Sequence, residues 1–174
     1  MADGTLHFNQ PRQFAPGTDT QRMFRDCLGR FASGVTVVTT NSVDGFIGMT
    51  ANSFSSVSME PPLVLWCPAK TSSRFGYFAQ TSHFAIHVLD ADQQDVALAF
   101  AKSARAFDGL AVETNANGVP ILSNCLARFE CATHALHDAG DHAIMVGHVR
   151  SAAFREGAPL IFSQGQFRRF DKQA

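Results

Sequence analysis

Val35-Thr-Val-Val-Thr-Thr-Asn-Ser-Val-Asp-Gly-Phe-Ile-Gly-Met-Thr-Ala-Asn52 holds two β-branched or apolar runs on either side of Asp44-Gly45. Runs of that composition read as strands, and an Asp-Gly pair between them is a strong hairpin signal. Outward from this hairpin the strand signals continue. Leu63-Val-Leu-Trp-Cys67 follows Pro61-Pro62, and Phe84, Ile86 and Val88 alternate as a further strand. Residues 126–137 and His142 to Phe154 predict two long strands around Asp138-Ala-Gly-Asp141. Residues 159–162 and 167–170 predict a last hairpin around Gln164-Gly165-Gln166. Many short antiparallel strands with few helices indicate a mainly β fold built as a barrel.

Helical signals are fewer. Thr18-Asp-Thr-Gln21 reads as a capping box, and Met23, Phe24, Cys27, Leu28 and Phe31 follow at helical spacing before Gly34. That stripe is expected to pack into the core. Residues 92–103 predict a second short helix, whereas residues 105–124 are the least regular part and read as a mobile loop over a site. Residues 1–17, with Gly4, Pro11, Pro16 and Gly17, read as an N-terminal arm, leaving 18–174 as one domain.

The chain of 174 residues is 45% hydrophobic and only 17% charged, which predicts that some surface is covered, most simply by a second copy. A formal net charge of −1 and the lack of any Lys/Arg run exclude the electrostatic footprint of a nucleic-acid binder. Sixteen Phe residues are scattered along the chain, as core filling requires. Cys27, Cys67, Cys125 and Cys131 form no Cys-x-x-Cys pair, which favours a reducing compartment over a disulfide scaffold or a zinc site. With no signal-like N-terminus and no membrane-length apolar run, a soluble, cytoplasmic protein is expected. The seven histidines do not group as metal ligands. His134 and His137 fall on opposite faces of a strand, and His142 and His148 would lie about 20 Å apart at ~3.3 Å per residue.

Between the hairpin and the third strand lies the densest polar stretch. Thr50, Ser53, Ser55, Ser56 and Ser58 supply hydroxyls and Asn52 an amide within nine positions. Small neutral hydrogen-bonding groups at that density suit a planar ligand with polar edges and a phosphate, and suit a packed core poorly. The same composition also describes a Ser-rich surface turn. Neither Gly-x-Gly-x-x-Gly nor a P-loop pattern occurs.

Taken in order, Gly34-Val-Thr-Val-Val-Thr-Thr40, Asp44-Gly45, Thr50 to Ser58, Glu60-Pro61-Pro62, His83-Phe-Ala-Ile-His-Val-Leu89, Gly140-Asp141-His142 and Pro159-Leu160-Ile161 resemble the flavin reductase family. These landmarks span residues 20–170. The resemblance implies an antiparallel, Greek-key split β-barrel that binds FMN or FAD near a homodimer boundary. It implies hydride transfer from NADH or NADPH to the flavin, and delivery of reduced flavin to a separate flavin-dependent monooxygenase. Such chemistry is carried by the two cofactors, while the protein stacks and orients them.

By the same resemblance, Thr50, Ala51, Asn52 and Ser53 line the isoalloxazine and its pyrimidine edge. Ser55 and Ser56 turn toward the ribityl chain or phosphate. The run Cys67-Pro-Ala-Lys-Thr-Ser-Ser-Arg74 completes the phosphate site, with Ser72 and Ser73 as hydroxyls, Lys70 and Arg74 as charges and Cys67 in proximity only. Read without the family, Lys70 and Arg74 are solvated surface charges, and Gly140-Asp141-His142 is a polar turn. The resemblance places His142 beside the nicotinamide carboxamide, as a positioning group, with Asp141 orienting the turn.

Some residues depart from the family pattern. Arg105-Ala106-Phe107 keeps Phe107 as a possible ring contact but loses the flanking charges, and the later aromatic is missing from Leu110-Ala-Val-Glu113. Three alternatives to the reductase follow: a flavin-binding electron carrier without turnover, a flavoprotein reducing a metal or corrinoid, and a barrel without cofactor.

Overall fold

A computed structural model describes residues 11–170. A short 3-10 turn (Thr18–Thr20) runs into helix α1 (Gln21–Leu28). Strands β1 (Ser33–Gly34), β2 (Thr36–Ser42), β3 (Gly45–Ala51), β4 (Ser55–Met59) and β5 (Pro62–Trp66) follow. Helix α2 (Phe75–Gln80), strand β6 (His83–Val88) and helix α3 (Gln94–Lys102) come next. The remaining strands are β7 (Val112–Thr114), β8 (Pro120–Leu122), β9 (Ala127–Ala139), β10 (His142–Phe154), β11 (Leu160–Ser163) and β12 (Gln166–Arg169).

Seven strands form one antiparallel sheet in the order β3-β2-β6-β9-β10-β5-β4. Strands β1, β11 and β12 form a smaller sheet, and β7 and β8 a two-stranded ribbon. The smaller sheet is joined to the larger at one point. Val35 N–H donates to Leu160 O (3.1 Å), Leu160 N–H to Leu89 O (3.0 Å) and Leu89 N–H to Val35 O (3.0 Å). The result is the barrel that the strand pattern predicts, in the split form that the family resemblance implies.

The uninterrupted β-branched run of β2 has a physical reason: Thr36 to Thr40 are all buried, so both faces of the strand are covered. Val38 enters a core with Ile47, Trp66, Phe78, Phe84 and Met145. Val37, one residue away, enters a second core with Val35, Leu89, Phe100 and Leu160. Buried hydroxyls then need partners. Thr36 Oγ1 donates to Ala51 O (2.7 Å), Thr39 Oγ1 to Pro120 O (2.6 Å) and Thr40 Oγ1 to His83 O (2.9 Å).

The hairpin after β2 turns over Ser42 to Gly45, where the sequence predicts it. Ser42 pairs with Gly45, so Val43 and Asp44 are the turn and Gly45 follows it at φ 95°, where glycine alone is unstrained. Further on, Gly48 admits helix α3. A Cβ there would come within 2.4 Å of the Phe100 ring.

Two expectations are corrected. The α1 stripe is not core: no α1 residue is buried, and Phe24, Leu28 and Phe31 are 42%, 59% and 83% exposed. The helix touches the barrel mainly at its end, where Gln164 N–H donates to Gly29 O (2.8 Å) and Arg30 to the Gln164 side chain (3.0 Å). Residues 105–124 are not an irregular lid either. They contain β7 and β8, with Val119, Ile121 and Leu122 buried. The arm reading of residues 1–17 falls partly on residues 1–10, outside those described. Among the described residues, no helix is long and apolar enough to cross a membrane.

His87 pins the β7–β8 ribbon. Fully buried, it donates from Nδ1 to Val37 O (3.0 Å) and accepts at Nε2 from Leu122 N–H (3.1 Å). Both ring nitrogens are satisfied in the neutral form, and burial pushes its pKa down to about 4. The unfolded chain therefore takes up this proton first as pH falls from 6.5. Stability from this group is complete above pH 6.5 and declines toward pH 4, by about 3 kcal/mol in all. Urea unfolding at a series of pH values checks this, and a flat profile across that window would rule out a buried neutral His87.

Candidate active site

Strand β3 ends in the polar stretch. Thr50 Oγ1 donates to Ala97 O on α3 (2.6 Å), so its side chain ties strand to helix and does not face a ligand. Asn52 is exposed, and its amide has no partner among the described residues. It lines a cleft of about 570 Å³ with Leu28, Phe31, Phe162 and Gln164. Ser53 folds back: its hydroxyl accepts from Cys67 N–H (2.9 Å) and sits 3.4 Å from Cys67 O. Ser55 and Ser56 then open β4, the exposed edge strand, opposite Leu65 and Val64. The Ser-rich run is thus partly a strand, which its small polar residues concealed.

The Ser53–Cys67 bonds bring residues 50–56 against residues 67–74. In the second segment, Ser72 Oγ accepts from Arg74 N–H (3.2 Å) and lies 3.7 Å from Met49 Sδ. Ser73 is exposed and lines a cleft of about 440 Å³ with Asn41, Tyr77, Gln80 and Thr81. Cys67 is half-buried, and burial raises its thiol pKa, so a reactive thiolate is disfavoured there.

A second seam joins residues 67–74 to the β9–β10 turn. Lys70 N–H donates to Asp141 O (2.9 Å), Ala143 N–H to Pro68 O (3.1 Å), and Ala69 bridges to His142. Lys70 Nζ bonds the Asp138 carboxylate and Gly140 O (2.7 Å). The Lys70 ammonium and the Gly140 N–H hold the Asp138 carboxyl below its usual range.

In that turn Gly140 has φ 71°, and His142 begins β10 half-exposed. Its Nδ1–H donates to the Asp141 carboxylate (2.7 Å), which lies below the usual carboxylate range because of that bond. The bond fixes the proton on Nδ1 and leaves Nε2 as the free ring nitrogen.

Three of the expected site residues make contacts within the fold. The Arg74 guanidinium donates to Phe100 O (2.6 Å) and Ala101 O (3.2 Å) near the end of α3, and burial lowers its pKa. Lys70 reaches the turn. Phe107 packs edge-on to Phe100 (4.9 Å) and Phe46 (5.7 Å) as part of the second core, which occupies its ring. Sequence reasoning missed Asp138, whose partner lies 68 residues away and follows no local spacing.

The polar groups left unengaged fit a flavin phosphate and polar ring edge by chemistry. Asn52, Ser56 and Ser73 have no side-chain partner among the described residues, and all three are exposed on the joined segments. They are neutral donors and acceptors.

Residues 28–171 match the family model described as a flavin reductase like domain. The chain belongs to the flavin reductase family. It is 56% identical over 160 residues to the FMN reductase (NADH) SmoA of Agrobacterium fabrum, covering 92% of each chain. It is 38% identical to the flavin-dependent monooxygenase reductase subunit HsaB of Rhodococcus jostii, covering 84% of this chain and 76% of that one. Among solved structures it resembles the Streptomyces globisporus NADH:FAD oxidoreductase in complex with NAD and FAD fragments. The TM-score there is 0.84 at 38% identity, over 93% of this chain and 99% of the other.

For this family member, an Arg74→Met change is expected to cost about 2 kcal/mol of stability by uncapping α3. Thermal unfolding and flavin titration together check the assignment. Loss of flavin affinity by about tenfold or more, equal to 1.4 kcal/mol, with unchanged stability would return Arg74 to the phosphate.

Proposed function

We propose that this chain is an NADH-dependent flavin reductase that supplies reduced FMN or FAD to a separate flavin-dependent monooxygenase. The observation that carries the reading is the near full-length identity to a named FMN reductase (NADH). The two seams support it, because they tie residues 67–74 to residues 50–56 on one side and to the β9–β10 turn on the other. When bound, the flavin accepts a hydride from the nicotinamide.

The residues' part is binding and orientation. Backbone groups of Thr50, Ala51 and Ser53, with the Asn52 side chain, take the ring edge. Ser55, Ser56, Ser72 and Ser73 take the ribityl chain and phosphate with hydroxyls and backbone N–H groups. Because Arg74 and Lys70 are bonded elsewhere, neither of these two cations is committed to the phosphate. Affinity is then modest, as suits a flavin that leaves after reduction. His142 presents Nε2 to the nicotinamide carboxamide, with its tautomer set by Asp141.

A homodimer completes the site. Phe24, Leu28 and Phe31 lie at i, i+4 and i+7, exposed beside the cleft that contains Asn52. Val57 and Met59, on the β4 edge, are exposed too. A second copy on this face buries the stripe and walls in Asn52. Four free cysteines support a cytoplasmic location.

Two experiments test these readings. NADH oxidation followed by absorbance, titrated with FMN and FAD, is expected to be saturable in flavin, and His142→Ala to raise the NADH KM while flavin affinity holds. Flavin binding without turnover would make the protein a carrier. Sedimentation is expected to show a dimer that Leu28→Asp/Phe31→Asp converts to a monomer with weakened flavin binding, and a monomeric wild type would remove the dimer reading.

A further inference from the structure

We infer that Lys70 is a positioning residue for His142, a latch between the flavin-side loop and the nicotinamide-side turn, and not a phosphate ligand. The inference rests on the reading of His142 as the group that faces the nicotinamide.

Four observations carry it. The Lys70 ammonium bonds two groups of the β9–β10 turn, the Asp138 carboxylate and Gly140 O. The same residue's N–H donates to Asp141 O. Its neighbour Ala69 forms the bridge with His142, and Pro68 O accepts from Ala143 N–H. Asp141 in turn holds the His142 ring through Nδ1. Lys70 therefore grips the turn at three points up to and including Asp141, by its side chain at 138 and 140 and by its backbone at 141.

The turn needs such a grip. It projects from the end of the β9–β10 ribbon, where Leu136 to Asp141 are all exposed, and it contains a left-handed glycine. The backbone bonds fix where the turn lies. The ammonium fixes how it is tilted, and so where Nε2 points. Small errors in the placement of a group that orients substrate are costly in rate and KM. Lys70 thus acts on nicotinamide binding through Asp141 and His142 while residing in the loop that faces the flavin.

The neighbouring acid separates the two roles. A latch needs both partners, so Lys70→Met and Asp138→Asn should act alike. For a phosphate ligand they should differ, since removing a nearby carboxylate would leave or strengthen anion binding.

Steady-state kinetics and flavin titration of full-length Lys70→Met, Asp138→Asn, His142→Ala and Lys70→Met/His142→Ala, using FMN and NADH, decide the matter. Expected are rises in NADH KM of roughly five- to tenfold for both latch variants, with FMN Kd within about twofold of wild type. In the His142→Ala background, Lys70→Met should add nothing further, because the residue it positions is gone. If Lys70→Met weakens FMN binding while Asp138→Asn leaves or tightens it, the latch is wrong and Lys70 holds phosphate. Additive effects of Lys70→Met and His142→Ala would also overturn it. A silent His142→Ala would sink the nicotinamide assignment and the latch together, whereas a sensitive His142→Ala with silent Lys70→Met and Asp138→Asn would sink the latch alone.

Discussion

Burial of β2 on both faces is the constraint from which the rest of the molecule follows. A strand covered on both sides cannot leave its hydroxyls in water, so Thr36, Thr39 and Thr40 each reach a carbonyl on another segment. Those carbonyls belong to β3, to β8 and to the start of β6. The strand's polar side chains thereby fix the positions of its neighbours as firmly as the backbone ladder does. His87 continues the pattern on β6, with one ring nitrogen on Val37 and the other on Leu122. The candidate site starts where this order ends, at Ala51, whose carbonyl receives Thr36.

Much of this was legible in the residues. The β2–β3 hairpin, β5, β6, the β9–β10 ribbon and the last hairpin all carry the β-branched or alternating patterns that their environments demand. The α3 helix was legible through its apolar spacing. Other elements were hidden for identifiable reasons. Strand β4 is a run of Ser around Val57, and its strand identity comes from pairing with β5 rather than from side-chain preference. The β7–β8 ribbon is short and contains Pro120, so only burial under β2 and β6 reveals it. The α1 stripe was read correctly as apolar but wrongly as internal, because periodicity reports that a face is covered and not what covers it.

The site was legible in its parts and not in its connections. The Ser-rich run, residues 67–74 and Gly140-Asp141-His142 could each be marked by composition or resemblance. What no local pattern conveys is that Ser53 bonds Cys67, or that Lys70 bonds Asp138. Charge type alone does not convey that Lys70 bonds a turn and Arg74 a helix end. Nor does residue type convey that the Phe107 ring packs on Phe100 and Phe46.

Trp66 has a consequence of another kind. It is the chain's single indole, wholly buried and edge-on to Phe78 at 4.9 Å. One residue further along, Cys67 bonds Ser53 in the candidate site. The protein therefore carries a built-in fluorophore in a buried, aromatic setting close to where a yellow chromophore is expected to bind. Its emission overlaps flavin absorption, so excitation passes from the indole to the ring and is lost from the tryptophan signal. Occupancy can thus be read by resonance energy transfer in the unlabelled protein, from the one indole that each chain carries.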